Sequence, residues 1–308
     1  MRRHAIQLAK NTLVVSLPSD WVKQNGIKKG DSLNIESKGN QLIIAGEGKK
    51  AVTSVLLDTK GLNERSLRWA FSSLQKQGVD EIEVRPISPL IIKLSQEIVR
   101  DLFVGFAIVS QKDNSLLIRK ISKDAVDQFG AIMRRAFLVT VSLAEGFADA
   151  LERGDFEEAR SLGYLEKTNN QLTNFCQRLI NRGEAGVGYS SFYYVILWNM
   201  EKIADEYKAM SLLLPKKPNI SPGMAKSQKG VAALVRGYYD VFYEGDARQL
   251  GLLSERKAAL EQSLLLLLER QDKTQRLLAH HLLDIVSRLQ DFSASFMTVR
   301  GLFQVQEL

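Results

Sequence analysis

The chain has 308 residues, 45% of them hydrophobic, and a net charge of +7, about twice the usual size of one domain, which predicts two or three units with separate cores. Its one cysteine, Cys176, excludes an intrachain disulfide and favours a reducing compartment. Charge begins at Arg2 and Arg3, and no apolar run, the leucines from Leu264 to Leu268 included, reaches the roughly 18 residues needed to cross a bilayer. A cytoplasmic chain without membrane insertion is therefore expected, with the leucine run inside a buried helix.

The positive charge is unevenly placed. Residues 1–50 hold nine Lys/Arg against four acids, so a polyanion or an acidic partner is expected there. The same region, 1–48, alternates short apolar runs (AIQL, TLVVSLP, KKGDSLNIES, GNQLIIAG) with Gly, Asn and Asp, which predicts four strands. Between the second and third strands, DWVKQN predicts a short helix capped by Ser19 or Asp20 and closed by Gly26, with Trp21 packed on the sheet as core. A ββαββ unit of this size buries too little surface to be stable alone, so it is expected to dimerise, strands of two copies interleaving in one barrel.

Residues 50–120 predict a small α/β connecting domain. It has a strand (VTSVLLD), a helix from Leu62 to Gln77 ended by Gly78, a strand (DEIEVRP), a helix from Pro89 to Phe103, and a hairpin turning at Asp113 and Asn114. From 122 onward the pattern is helical. Three segments (Asp124–Arg153, Phe156–Arg182, Ser190–Leu213) fill 122–215, the proline-rich PKKPNISPG follows, and three more segments (224–244, 246–272, 274–306) fill 222–308. ERGDFEEAR and YEGDARQL share a Gly-Asp hinge, and LWNMEKIADEYKAM aligns with LDIVSRLQDFSASF, so two three-helix units of one repeat are expected, stacked end to end.

Few residues suggest chemistry. In EKIAD, Glu201 and Asp205 lie one helical turn apart, where like charges repel unless a cation or basic neighbours offset them. Glu166 and Asn170 have the same spacing on the preceding helix. An antiparallel neighbour could present them opposite Glu201 and Asp205 as an oxygen-rich patch for a divalent ion (Mg, Mn, Fe or Zn), and solvated polar positions are the other reading. His280 and His281 project about 100° apart and read as solvated; Cys176 reads as a core thiol. The basic residues Arg2, Arg3, Lys10, Lys23, Lys28 and Lys29 could contact phosphates or simply form a solvated face. No phosphate loop, dinucleotide fingerprint, nucleophile elbow or HExxH motif occurs, which argues against an enzyme and against an organic cofactor.

The pieces KNTLVVSLPSDW and NGIKKGDSLNI resemble the SpoVT/AbrB family of swapped-hairpin barrels, in the version that heads archaeal PhoU-like regulators. The helical half is similar to PhoU, whose two three-helix repeats carry E(D)xxxD metal-binding motifs. Glu201 to Asp205 match that motif, Glu166 with Asn170 match it in part, and Ser287 with Asp291 lack the glutamate. The resemblance implies a phosphate-homeostasis regulator, either binding promoter DNA through the barrel or restraining phosphate uptake. Its alternative form is an adaptor that docks on a phosphate transporter component or another regulator and uses the barrel only to make a homodimer.

Overall fold

In the computed structural model, which describes residues 2–38, 40–46, 52–122, 128–269 and 272–300, the four N-terminal strands form as two separate antiparallel hairpins. The first pairs β1 (Ile6–Ala9) with β2 (Thr12–Val14), and the second pairs β3 (Leu33–Lys38) with β4 (Gln41–Gly46). Between them stands α1 (Ser19–Gln24), followed by Gly26 in the left-handed region at φ +63°. Two details differ from expectation. Pro18 holds the N-cap position, so neither Ser19 nor Asp20 caps α1, and Trp21 is only half-buried. No described residue of residues 2–46 is buried. Within one chain the hairpins do not close a barrel, and Leu8, Leu13 and Leu42 stand 71%, 64% and 65% exposed.

The chain divides into two compact units, Met1–Thr53 and Ser54–Leu308. The second unit opens with β5 (Ser54–Asp58), α2 (Glu64–Gln77), β6 (Glu81–Arg85), α3 (Pro89–Leu102), β7 (Phe106–Lys112) and β8 (Ser115–Lys120). Local signals set these bounds. Asn63 caps α2 by accepting from the Ser66 amide, Gly78 ends it at φ +94°, and Ser88 caps α3 ahead of Pro89. The sheet runs β5-β6-β8-β7, parallel between β5 and β6 and antiparallel elsewhere. Ile82, Val84, Leu116 and Ile118 alternate onto one face and meet Leu67 and Phe71 of α2 with Leu94 and Ile98 of α3 in a single apolar cluster.

The remaining chain is helical: α4 (Phe129–Arg153), α5 (Phe156–Ser161), α6 (Leu165–Asn181), α7 (Ser190–Leu213), α8 (Pro222–Tyr243), α9 (Leu250–Leu268), α10 (Lys273–Asp291) and α11 (Ser293–Val299). Parts of the first and last expected helices, 124–127 and 301–306, lie outside the described residues. The segment expected as one helix from Phe156 is broken by a 3-10 turn at Leu162–Tyr164. There Gly163 lies close under α7; a Cβ on it would come within 3.1 Å of the Ser211 Cβ. The last helix breaks at Phe292, whose buried ring packs edge-on against Tyr238 at 5.4 Å.

The Gly-Asp hinges recur as expected. Gly154 closes α4 at φ +70° with Asp155 capping α5 through the Glu158 amide, and Asp246 accepts from the Arg248 amide after α8. The two trios, however, are joined side by side: α4 packs along α8, α7 packs along α10, and one continuous apolar core runs through both. Two Gly residues seven apart on α8 let α9 approach closely, Gly230 beneath Leu260 and Gly237 beneath Leu253.

Candidate nucleic-acid interface and acidic helix face

Each of the six basic residues expected to meet phosphates is exposed. Arg2 and Arg3 precede β1, Lys10 lies in the β1–β2 turn, Lys23 is on the last turn of α1, and Lys28 and Lys29 follow Gly26. The Lys28 amide donates to Asp31 Oδ2, which folds that turn back on itself. None of the six side chains forms an ion pair with a described residue, so their charge is directed to solvent.

The acidic face of the bundle is organised by lysines. Glu201 on α7 accepts from Lys76 of α2 at 3.1 Å and lies 3.7 Å from Lys202 Nζ, while Asp205 accepts from Lys202 at 2.7 Å. Trp198, one turn before, has both ammonium groups near its ring, Lys76 at 5.1 Å and Lys202 at 5.0 Å. The carboxylates beside Lys202 hold its pKa above the ordinary lysine value, against desolvation that would lower it. Glu166 on α6 is buried; it accepts from Asn170 Nδ2 at 2.6 Å and from Lys208 Nζ at 2.9 Å.

The expected four-residue patch is thus distributed. The antiparallel register sets Glu166 against Lys208 of α7, and Glu201 turns toward α2. Among the described residues no three His, Cys, Asp or Glu side chains converge in a metal-binding group. Lys76, Lys202 and Lys208 pair with these carboxylates in this geometry, so an ion binding there would have to displace them.

Sequence reasoning passed over the most buried charges of the molecule. The Arg178 guanidinium, on a fully buried residue of α6, donates to the Val79 carbonyl at 2.7 Å, pairs with Asp80, and lies 5.3 Å from the Phe106 ring. Arg182 donates to the Gly78 carbonyl at 2.8 Å and to Asp80 at 3.0 Å, and also pairs with Glu184. This cluster fastens the α/β layer to the bundle. A second tie on the same helix runs from Lys167 to Asp101, whose carboxyl is held down to about 2 by its hydrogen bond with Arg100 and by Lys167. His280 is exposed as expected, but His281 is largely covered and donates from Nδ1 to Glu206 of α7 at 2.6 Å, which corrects its reading as solvated. Cys176 is fully buried, and burial pushes its thiol far above the ordinary range, as fits a core thiol. No helix of the described residues is long and apolar enough to cross a membrane.

With this geometry in view, the class of the first unit is defined by its match to a family model: residues 6–51 match MazE, described as antidote-toxin recognition, bacterial antitoxin. The N-terminal unit therefore contains a MazE/AbrB-like domain. No curated protein matches the chain. Among solved structures, that of the phosphate transport system regulatory protein PhoU from Streptococcus pneumoniae is similar at a TM-score of 0.47 and 12% identity, over 59% of this chain and 98% of that one.

Proposed function

We propose that this protein is a homodimeric, DNA-binding regulator of phosphate uptake, in which the N-terminal unit supplies the dimer and the DNA contact and the helical unit senses the signal. One observation carries the reading. The MazE-like unit buries none of its described side chains, leaves its strand leucines open to a second copy, and presents six cations unpaired with any described residue. A lone two-stranded hairpin is marginal in water, whereas two interleaved copies would cover these leucines and gather twelve cations on one surface. The assignment to phosphate rests on the likeness of Glu201 to Asp205 to the PhoU motif and on the tandem three-helix trios.

The test is binding of the full chain to its own upstream DNA against a scrambled duplex, at about 50 and about 200 mM salt. Sequence-selective binding with a steep salt dependence supports the proposal. Replacing Arg2, Arg3 and Lys10 by Gln lowers the salt slope by about 3 per protomer if all three meet phosphates, since each neutralised phosphate contributes about 0.9. Unchanged affinity in this variant, together with unselective binding by the parent, favours the adaptor that uses the first unit for dimerisation and docks on a transporter component. The divalent-ion reading requires Lys76 and Lys202 to leave Glu201 and Asp205. Metal content of the parent chain against Glu201→Ala/Asp205→Ala tests it, and equal content removes it.

A further inference from the structure

The four-stranded sheet has two edges, and only one of them is guarded. At β7 the ladder is interrupted by a bulge between Ile108 and Ser110, and Gln111 and Lys112 stand exposed beyond it. Bulges and lysines of this kind keep an edge from pairing. At β5 the register with β6 runs unbroken from Ser54 to Asp58, without proline, lysine or bulge. No described strand pairs with its far side.

The Thr59 amide donates to the Arg85 carbonyl at 3.0 Å. Backbone groups alternate sides along a strand, so those of Val55 and Leu57 turn to β6 and those of Ser54, Leu56 and Asp58 turn to the open edge. Val55 and Leu57 lie on the core face beside Ile82 and Val84 of β6. Those two are 0% exposed, whereas Val55 and Leu57 stay only half-buried because nothing described flanks them. Leu56, on the opposite face, is 54% exposed.

A second β5 completes this edge. With Leu56 set antiparallel against Leu56, Ser54 faces Asp58 and Val55 faces Leu57. The outward residues then fall in hydrogen-bonded pairs, each exchanging both backbone bonds, and the Val55–Leu57 pairs carry the two apolar cores into one another. No like charges stand directly opposite, and Asp58 has Arg85 beside it on β6. The helix above leaves room. Arg68 and Gln75 of α2 reach α3, and at 100° per residue Ser66, Ala70, Ser73 and Gln77 fall on the contrary side, over the open edge. Only residues 47–53 separate β4 from β5, so a partner held by the N-terminal unit brings its own β5 to a high effective concentration.

We infer that β5 is a docking edge on which β5 of a second copy of this chain pairs antiparallel, Leu56 against Leu56. The inference rests on the homodimer of the proposed function and adds to it a contact outside the N-terminal unit. Such a pairing is isologous, so it closes on itself and joins two four-stranded sheets into one.

The experiment is oxidation of Leu56→Cys in the full chain without a linker. Opposed Cα atoms of a hydrogen-bonded pair lie about 5.5 Å apart, within the span of a disulfide. The native thiol, Cys176, is buried and stays out of the reaction. The control is Val109→Cys, exposed on the guarded edge of the same sheet. The inference expects at least tenfold more disulfide-linked dimer from Leu56→Cys than from Val109→Cys. Adding Ser54→Asp sets an acid opposite Asp58 twice and should lower the yield about fivefold; adding Asp58→Ser as well restores it, since each acid again faces a serine. Equal cross-linking of the two cysteines, or a yield indifferent to Ser54→Asp, overturns the inference. The parent chain gives a check free of substitution: the outward Leu56 amide exchanges slowly with solvent if the edge is paired, and exchange at the rate of an open amide overturns the pairing. If a strand of another protein takes this edge, the purified Leu56→Cys chain gives no linked dimer, which also counts against it. Sedimentation separates the two readings. A dimeric chain that fails to cross-link sinks the β5 contact alone, whereas a monomeric chain sinks the homodimer with it.

Discussion

The two ends of this chain solve the burial problem differently. Residues 2–46 fold into hairpins that fully bury none of their described side chains, whereas the helical part runs one core from Phe129 to Phe296 and shields even a guanidinium, that of Arg178. Helices at i→i−4 satisfy their own backbone and need only one covered stripe. A two-stranded hairpin leaves both edges and both faces open. The second unit thus closes its core within a single chain, and the first does not.

The sharpest way to break this contrast is to disturb the completed part. Arg178→Ala leaves Asp80 short of a partner and is expected to cost about 3–5 kcal/mol in urea unfolding; Phe137→Ala, at 1% exposure, costs a similar amount through the cavity it opens. A loss below about 1 kcal/mol in both would mean that the core is not closed by the single chain. Next in size, on the proposed function, Leu13→Asp in the first unit should weaken self-association and DNA binding tenfold or more, while the melting of the helical part moves by less than about 0.5 kcal/mol. Sedimentation against concentration reads the first effect and calorimetry the second.

A smaller effect comes from pH. Because the Asp101 carboxyl is depressed in the folded state to about 2, below its unfolded value, its contribution is complete above about pH 4 and is lost as pH falls toward 2. Solvent reaches its partner Arg100, so a discounted size of about 1 kcal/mol is expected. Asp101→Asn should remove that part of the acid limb and leave stability at pH 7 lower by the same amount. Smallest of all, breaking the open Lys229–Glu152 pair between α8 and α4 by Lys229→Ala should change stability by at most about 0.5 kcal/mol.

What the sequence revealed divides along the range of the forces involved. Asn63, Gly78, Ser88 and the Asp113–Asn114 turn act within a few residues, and the elements they punctuate stand where the pattern placed them. The spacing of Glu201 and Asp205 on one helix was legible for the same reason. Their partners were not: Lys76 reaches Glu201 across 125 positions, and Asp80 meets Arg178 across 98. The leucine run of α9, where Leu264 and Leu267 are buried but Leu266 is 65% exposed, shows a third limit, since composition gives hydrophobicity but not which side of the helix receives a neighbour. Side-by-side joining of the two trios was hidden likewise, because the repeat fixes each trio and not the face on which they meet.

The bond from Arg178 to the Val79 carbonyl joins the chain two residues ahead of β6 to the last turn of a bundle helix. Strand and helix amides on its two sides are therefore expected to open to solvent together. In native-state hydrogen exchange, β6 and α6 should share one opening free energy near that of global unfolding, while on the proposed dimer the amides of β1 and β2 should exchange more slowly as the protein concentration rises.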